Sequence, residues 1–450
     1  MKRKQLDMTQ GSPGKVLLLF ALPVFLGNVF QQLYNILDSV IVGRFVGADA
    51  LAAVGACGSP YGVFIALNMG LATGIGIYIS QLFGAKQEQR IRMAVVNALI
   101  LMIISALLII LVGIILTPAL LRVLGTPESI MDRAVIYMRI TFLSTLGMAV
   151  YNCIAGILRA VGDSRTPLLF LILSSVLKIG LNLLFVAAIP MDVAGVALST
   201  LAAYLICAVL VFLYARSKYS YFRFSLSEIR MNPGMQKSLL IAGMPLGLQN
   251  STISMSGAVL QGFVNSFGAT VVAANTVIVK FDNLLNMPLS SLGMALSTYT
   301  GHNIGAGKED RVKKGYYVSW IMAAVYSVLV YFVGHSQVFG EMFVKLFVEN
   351  EPEIMTYGIR GMAIFSTGVL FLSMIYNNRS VLNGAGDTAF AMVVGLVEVA
   401  GRVGFAFLFV TVMKIGPEGL WYTAIANWTL TGIVCMLRYL SGKWKLKSLV

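Results

Sequence analysis

Apolar residues run along this chain in blocks of about twenty or more, separated by short stretches rich in Gly, Pro and charge. Blocks of that length fit the hydrocarbon thickness of a bilayer better than the buried face of a soluble helix. Twelve are legible, at residues 16–42, 52–81, 94–117, 134–157, 167–188, 194–215, 239–265, 271–300, 316–338, 355–378, 389–413 and 419–440. The pattern predicts an all-α integral membrane protein with twelve transmembrane helices. Lys2, Arg3, Lys4 and Lys15 precede the first block. That block is too long for the 7–15-residue core of a signal peptide, so it reads as an uncleaved first helix.

Composition agrees with this class. The chain is 58% hydrophobic and 12% charged, whereas soluble domains carry about 25% charge. A formal balance of +14 would suit a nucleic-acid partner, but so oily a chain excludes that reading and a cytosolic enzyme alike. The basic residues instead report orientation. With a cytoplasmic N-terminus, 23 of the 33 Lys and Arg fall on cytoplasmic segments. The opposite segments hold only Arg44, Arg122, Arg133, Lys345, Arg360 and Lys414. Positive charge stays inside, so both termini are expected in the cytoplasm and the chain in the plasma (inner) membrane. The most basic connection, near 216–238, reads as the linker between an N-lobe (1–237) and a C-lobe (238–450).

The two halves repeat. Pro23 and Asn28 match Pro245 and Asn250, 222 residues on; "GADALAA" from Gly47 matches "GATVVAA" from Gly268; Leu158, Gly162 and Asp163 match Leu382, Gly386 and Asp387; Lys178 and Gly180 match Arg402 and Gly404. Six spans separate equivalent positions. The expectation is therefore two six-helix lobes related by a pseudo-two-fold axis along the membrane normal, sharing a cavity and working by alternating access.

Ionisable groups inside spans are costly and default to function. Six lie at depth: Asp38, Lys178, Lys280, Asp282, Glu398 and Arg402. Three charges of each sign suggest mutual pairing. Glu398 and Arg402, four apart, share a helix face. Lys280 and Asp282, two apart, do not face one another, and a network joining all four is expected in the C-lobe. Pro23, Gly27, Asn28, Pro245 and Asn250 could interrupt the first helix of each half to line the cavity, or small residues there could serve close packing. Gln31, Tyr34, Asn35, Asn182, Gln249, Gln261 and Met287 are further candidates for the cavity wall. His302 is expected to face a loop. Cys57, Cys153, Cys207 and Cys435 have no metal-ligand spacing and read as small apolar residues. No catalytic residue is expected. The chain has no paired-acid metal motif or His cluster, and the Gly-rich "GHNIGAGK" follows no strand, which excludes a P-loop and an ATP-driven pump.

The segments "LPVFLGNVFQQLYNILDSVIVGRFVGADALAAVG" (Leu22–Gly55), "LRAVGDSRTP" (Leu158–Pro167), "SLGMALSTYTGHNIGAGKEDRVKKG" (Ser291–Gly315) and "LNGAGDT" (Leu382–Thr388) resemble the multidrug and toxic compound extrusion (MATE) family. The resemblance implies a monomeric antiporter that needs no cofactor and exchanges inward H⁺ or Na⁺ for export of small organic, often cationic, molecules. It places Asp38 at the family's first-helix coupling aspartate, where H⁺ or Na⁺ would load; Asp282 and Glu398, as the acids of the C-lobe network, are further candidates to carry protons. Many relatives carry an Asn and an Asp four apart on the fifth helix; this chain has Lys178 and Asn182 there. Lys178 either stands in for a cation and locks Asp38, or exchanges with substrate or proton during the cycle. An alternative within the same architecture is a flippase or exporter of lipid-linked or phosphate-bearing amphiphiles, to which Lys280 and Arg402 would be suited.

Overall fold

The computed structural model describes residues 6–348 and 351–450, with the side chains of Ala48, Leu226 and Ala258 left aside. Lys2, Arg3 and Lys4 lie outside the described residues. Twelve long helices occupy the twelve apolar blocks: α1 (Pro13–Phe45), α2 (Ala48–Gly84), α3 (Glu88–Val123), α4 (Glu128–Ala160), α5 (Arg165–Asn182), α6 (Asp192–Lys218), α7 (Pro233–Asn265), α8 (Ala269–Gly305), α9 (Glu309–His335), α11 (Pro352–Gly384), α12 (Ala389–Ala406) and α13 (Glu418–Leu440). A short helix, α10 (Gln337–Lys345), precedes α11 and was not legible as a span. Among the described residues there is no strand. Ten of the helices are long and apolar enough to cross a membrane. Their outer faces are apolar too: Leu108, Leu111 and Ile115 of α3 and Ile321, Val325 and Phe332 of α9 are exposed, as lipid-facing side chains should be.

The chain forms two compact units. The first comprises Leu22–Ser251 with residues 6–7 and Leu449–Val450; the second comprises Met8–Ala21 and Thr252–Ser448. Within the first, α4 is central and packs on α2, α3 and α6. Ile75, Tyr78, Ile79, Met102, Ile154 and Leu158 form its core. Within the second, α11 is central and packs on α8, α9 and α13, around Ile278, Phe281, Phe365, Trp421 and Trp428.

The repeat reappears in the backbone. α2 and α8 are both 37 residues long, α4 and α11 both 33, and α5 and α12 both 18. Gly47 and Gly268 precede α2 and α8 at φ 107° and 87°, and Gly162 and Gly386 follow α4 and α11 at φ 87° and 96°. These left-handed positions suit glycine, which has no Cβ to clash. The fifth helix of each half ends in six residues of π-helix, Leu183–Ala188 and Phe407–Val412.

One expectation, that for His302, needs correction, and of the two alternatives for the first helices the structure shows packing. α1 and α7 run unbroken through Pro23 and Pro245, because a transmembrane helix can re-satisfy the few backbone groups that proline frees. The small residues of α7 serve packing instead: Gly243 and Gly247 lie so close to Gly74 and Gly70 of α2 that a Cβ on either α2 glycine would meet the α7 backbone. His302 faces no loop; it is fully buried in the last turn of α8. The basic linker, on whose packing the sequence was silent, is docked. Tyr219, Tyr221, Phe222 and Phe224 enter the core of the first unit, and Asn97 accepts from the Asn232 amide and Gln236.

Candidate functional site

In the first unit, two helix faces meet through residues four apart, one turn along each helix. Tyr34 and Asp38 lie on α1, Lys178 and Asn182 on α5. The Lys178 ammonium donates to Asp38 Oδ2 at 3.0 Å and stands 5.1 Å from the centre of the Tyr34 ring, within cation–π range. Asn182 Nδ2 donates to Asp38 Oδ1, and the Ser199 hydroxyl of α6 donates to Asn182 Oδ1. Both oxygens of Asp38 are therefore engaged. The pair is largely sequestered, with 12% of the Lys178 side chain and 17% of the Asp38 side chain exposed. Coulomb attraction is strong at this separation and burial, so separating the two side chains would be costly. A Na⁺ there would have to share the carboxylate with an ammonium. The π-turn begins at Leu183, directly after Asn182, a placement often seen at functional sites.

In the second unit the same place is built differently. Arg402, the repeat mate of Lys178, donates from Nη2 to Glu398 Oε1 at 3.1 Å and from Nη1 to Ser256 Oγ at 3.0 Å. Ser256 is the repeat mate of Tyr34 at the 222-residue offset, so both cations face equivalent points of the first helix of their half. The acid, however, has changed helix. The mate of Asp38 is Leu260, and the mate of Glu398 is Ser174. Each half thus supplies one carboxylate, from the first helix in one and from the fifth in the other.

Asp282 belongs to a separate cluster in this unit. Its Oδ1 accepts from Asn286 Nδ2 at 2.9 Å, and Asn286 Oδ1 accepts from the Tyr376 hydroxyl at 3.0 Å. The Arg379 guanidinium stacks 5.3 Å from the Tyr376 ring. Lys280 is exposed and, among the described residues, forms no ion pair. The geometry thus brings Glu398 and Arg402 together and seats Asp282 on neutral amide and phenol partners, with Arg402 acting on it only at longer range.

The remaining candidates divide. Asn182, Gln249 and Met287 are buried. Gln249 Nε2 has no hydrogen-bond partner, nor has either amide atom of the buried Asn68 on α2; such groups are costly unless a ligand or water satisfies them. Asn28, Gln31, Tyr34 and Asn250 are half-buried, whereas Asn35 and Gln261 are exposed and bond to Gln32 and Asn265 on their own helices. Sequence reasoning missed Ser199, Ser256, Asn286 and Tyr376. Asn286 alone carried a signal, four residues after Asp282. The four cysteines are free and buried. Among the described residues no group of three His, Cys, Asp or Glu is placed to hold a metal.

Comparison with known proteins places this architecture. The MatE family model matches twice, over residues 23–184 and 245–408, one match per half. The chain is 30% identical to the probable multidrug resistance protein YpnP of Bacillus subtilis, over 99% of each chain. It is 27% identical to the probable multidrug resistance protein YoeA of the same organism, over 96% of this chain and 94% of that one. Among solved structures, a MOP superfamily transporter from Pyrococcus furiosus, described as having a binding pocket of reverse polarity, superposes with a TM-score of 0.90 at 23% identity over 99% of both chains. An outward-facing multidrug resistance MATE transporter does so equally well, also at 23% identity. Two matched halves, near-complete coverage and a shared helical fold lead to one assignment: the chain belongs to the MatE family of multi-pass membrane transporters, which are not enzymes.

Proposed function

We propose that the chain is a secondary active antiporter of the plasma membrane that exports small organic, cationic or amphiphilic compounds in exchange for H⁺ or Na⁺ by alternating access, with both termini cytoplasmic. The observation that carries the coupling part is the contrast between two aspartates. Asp38 has an ammonium on one oxygen and an amide on the other, so loading a proton or Na⁺ there requires Lys178 to leave. Asp282 has only the Asn286 amide and the chain beyond it. Loading Asp282 breaks no ion pair, and the coupling ion is assigned to it, with Glu398 as the nearby acid that is paired with Arg402. Lys178 in this reading is a built-in cation that occupies Asp38 in place of a transported one.

A second reading, export of phosphate-bearing amphiphiles, is favoured by the exposed Lys280 and by Lys178 and Arg402 at equivalent places of the two halves. Transport in proteoliposomes under separately imposed pH and Na⁺ gradients, with panels of organic cations and anions, separates the two. Cation efflux driven by either gradient supports the first; flux of anionic amphiphiles alone supports the second.

A further inference from the structure

The docked segment after α6 borders an open, shallow basin of about 910 Å³ within the first unit, with room for a small polar group. Three guanidiniums, those of Arg92, Arg216 and Arg223, line it against a single carboxylate, Glu228. Each is held differently. Arg223 donates to the carbonyls of Arg216 and Ser217 at the end of α6, 3.2 and 2.6 Å away, and so is anchored by neutral groups. Arg92 pairs with Glu228 at 2.7 Å, and its buried Nε has no partner. The Arg216 side chain is exposed and, among the described residues, makes no hydrogen bond or ion pair. Glu228 also accepts from the Ser225 backbone N–H at 2.7 Å, so the carboxylate is committed to fixing the loop. Two of the three positive charges are left uncompensated in a concave polar site lined also by Ser217 and Ser225.

The approach to this basin is apolar. Leu205, Val209 and Leu213 follow one another at four-residue steps on α6, are 39%, 57% and 55% exposed, and lead to Ser217 in the basin. A stripe of exposed aliphatic side chains along a spanning helix suits an acyl chain, and the cationic basin at its end suits a phosphodiester at headgroup depth.

We propose that this basin binds the headgroup of an anionic phospholipid, with Arg216 and Arg223 on the phosphate and an acyl chain along Leu205, Val209 and Leu213. The stripe distinguishes a lipid from free phosphate, which would use only the basin. The site lies in the first unit alone and does not depend on which compounds are transported. On the proposed orientation it faces the cytoplasmic leaflet.

The test uses the full chain purified in neutral detergent, with bound lipid counted by native mass spectrometry and unfolding followed by temperature. Phosphatidylglycerol should bind saturably and raise the melting temperature; phosphatidylcholine and millimolar inorganic phosphate should do neither. R216Q should weaken phosphatidylglycerol binding about fivefold, the share of one surface cation. Because the Arg216 side chain makes no hydrogen bond or ion pair among the described residues, R216Q should melt like wild type in phosphatidylcholine. R230Q, which removes an equal charge from the same segment outside the basin, should bind within about twofold of wild type on this account. Equal binding of phosphatidylcholine, equal stabilisation by inorganic phosphate, or equal losses in R216Q and R230Q would each overturn the proposal.

Discussion

Lys178 and Arg402 stand 224 residues apart at the same place in their two halves, yet they take their carboxylates from different helices. Lys178 reaches across to Asp38 of α1, 3.0 Å away, whereas Arg402 turns to Glu398 on its own helix, 3.1 Å away. The duplicated cation is kept while its acid moves, so each half stays neutral at this point. A buried charge left alone would be costly.

That neutrality is testable as a cycle. D38N and K178M should each destabilise the protein by about 3 kcal/mol, the lower end for removing one partner of a buried pair. The double variant should recover most of that loss, because no charge remains uncompensated. Additive losses in thermal or denaturant unfolding would mean that the two side chains contribute separately.

Glu398 shares its network with Arg402 and Ser256. E398Q leaves Arg402 without a counter-charge beside the Asp282 cluster and should alter the pH dependence of transport. The slope of initial rate against pH is the readout; an unchanged rate and slope would remove Glu398 from coupling.

Close packing of α2 on α7 makes a sharper stability forecast. G70V puts side-chain atoms into the backbone of α7 at Leu246 and Gly247; overpacking of this kind costs about 1–3 kcal/mol. G180A, on α5, meets nothing within 4 Å and should stabilise by up to about 1 kcal/mol through helix propensity. Melting temperatures of the two variants should move in opposite directions.

The docked linker should loosen in acid. The Glu228 carboxyl is held below its ordinary value, first by the Ser225 backbone N–H and then by Arg92. A depressed pKa contributes stability that is present above the unfolded value, about 4.3, and is lost as pH falls through the folded one. Protection of residues 219–232 against hydrogen exchange, taken relative to the intrinsic rate at each pH, should therefore be high at neutral pH and fall below about pH 4. E228Q should show reduced protection already at neutral pH, with little further change in protection on acidification.

Much of this was legible from residue order. Block length set the number of spans, and the repeat anticipated the glycines that open α2 and α8 and follow α4 and α11, because both rest on local chemistry. The pairing of Glu398 with Arg402 followed from their spacing on one helix. What spacing along one chain cannot convey is which side chain on another helix lies opposite. The contacts of Ser199 with Asn182, Ser256 with Arg402 and Tyr376 with Asn286 depend on the rotation and register of packed helices. The docking of the linker was not legible for a related reason: Tyr219, Tyr221, Phe222 and Phe224 anchor it in the core against residues distant in sequence. Pro23 and Pro245 left interruption and close packing both open, because a membrane helix tolerates proline better than a helix in water does.

The assignment of coupling to the second unit has one direct test: substrate efflux from proteoliposomes driven by an imposed pH or Na⁺ gradient, compared between wild type, D282N and D38N/K178M. The account predicts gradient-driven efflux in wild type, its retention in D38N/K178M, and its loss in D282N with substrate binding kept. Efflux that ignores both gradients in wild type, or full gradient dependence in D282N, would contradict it.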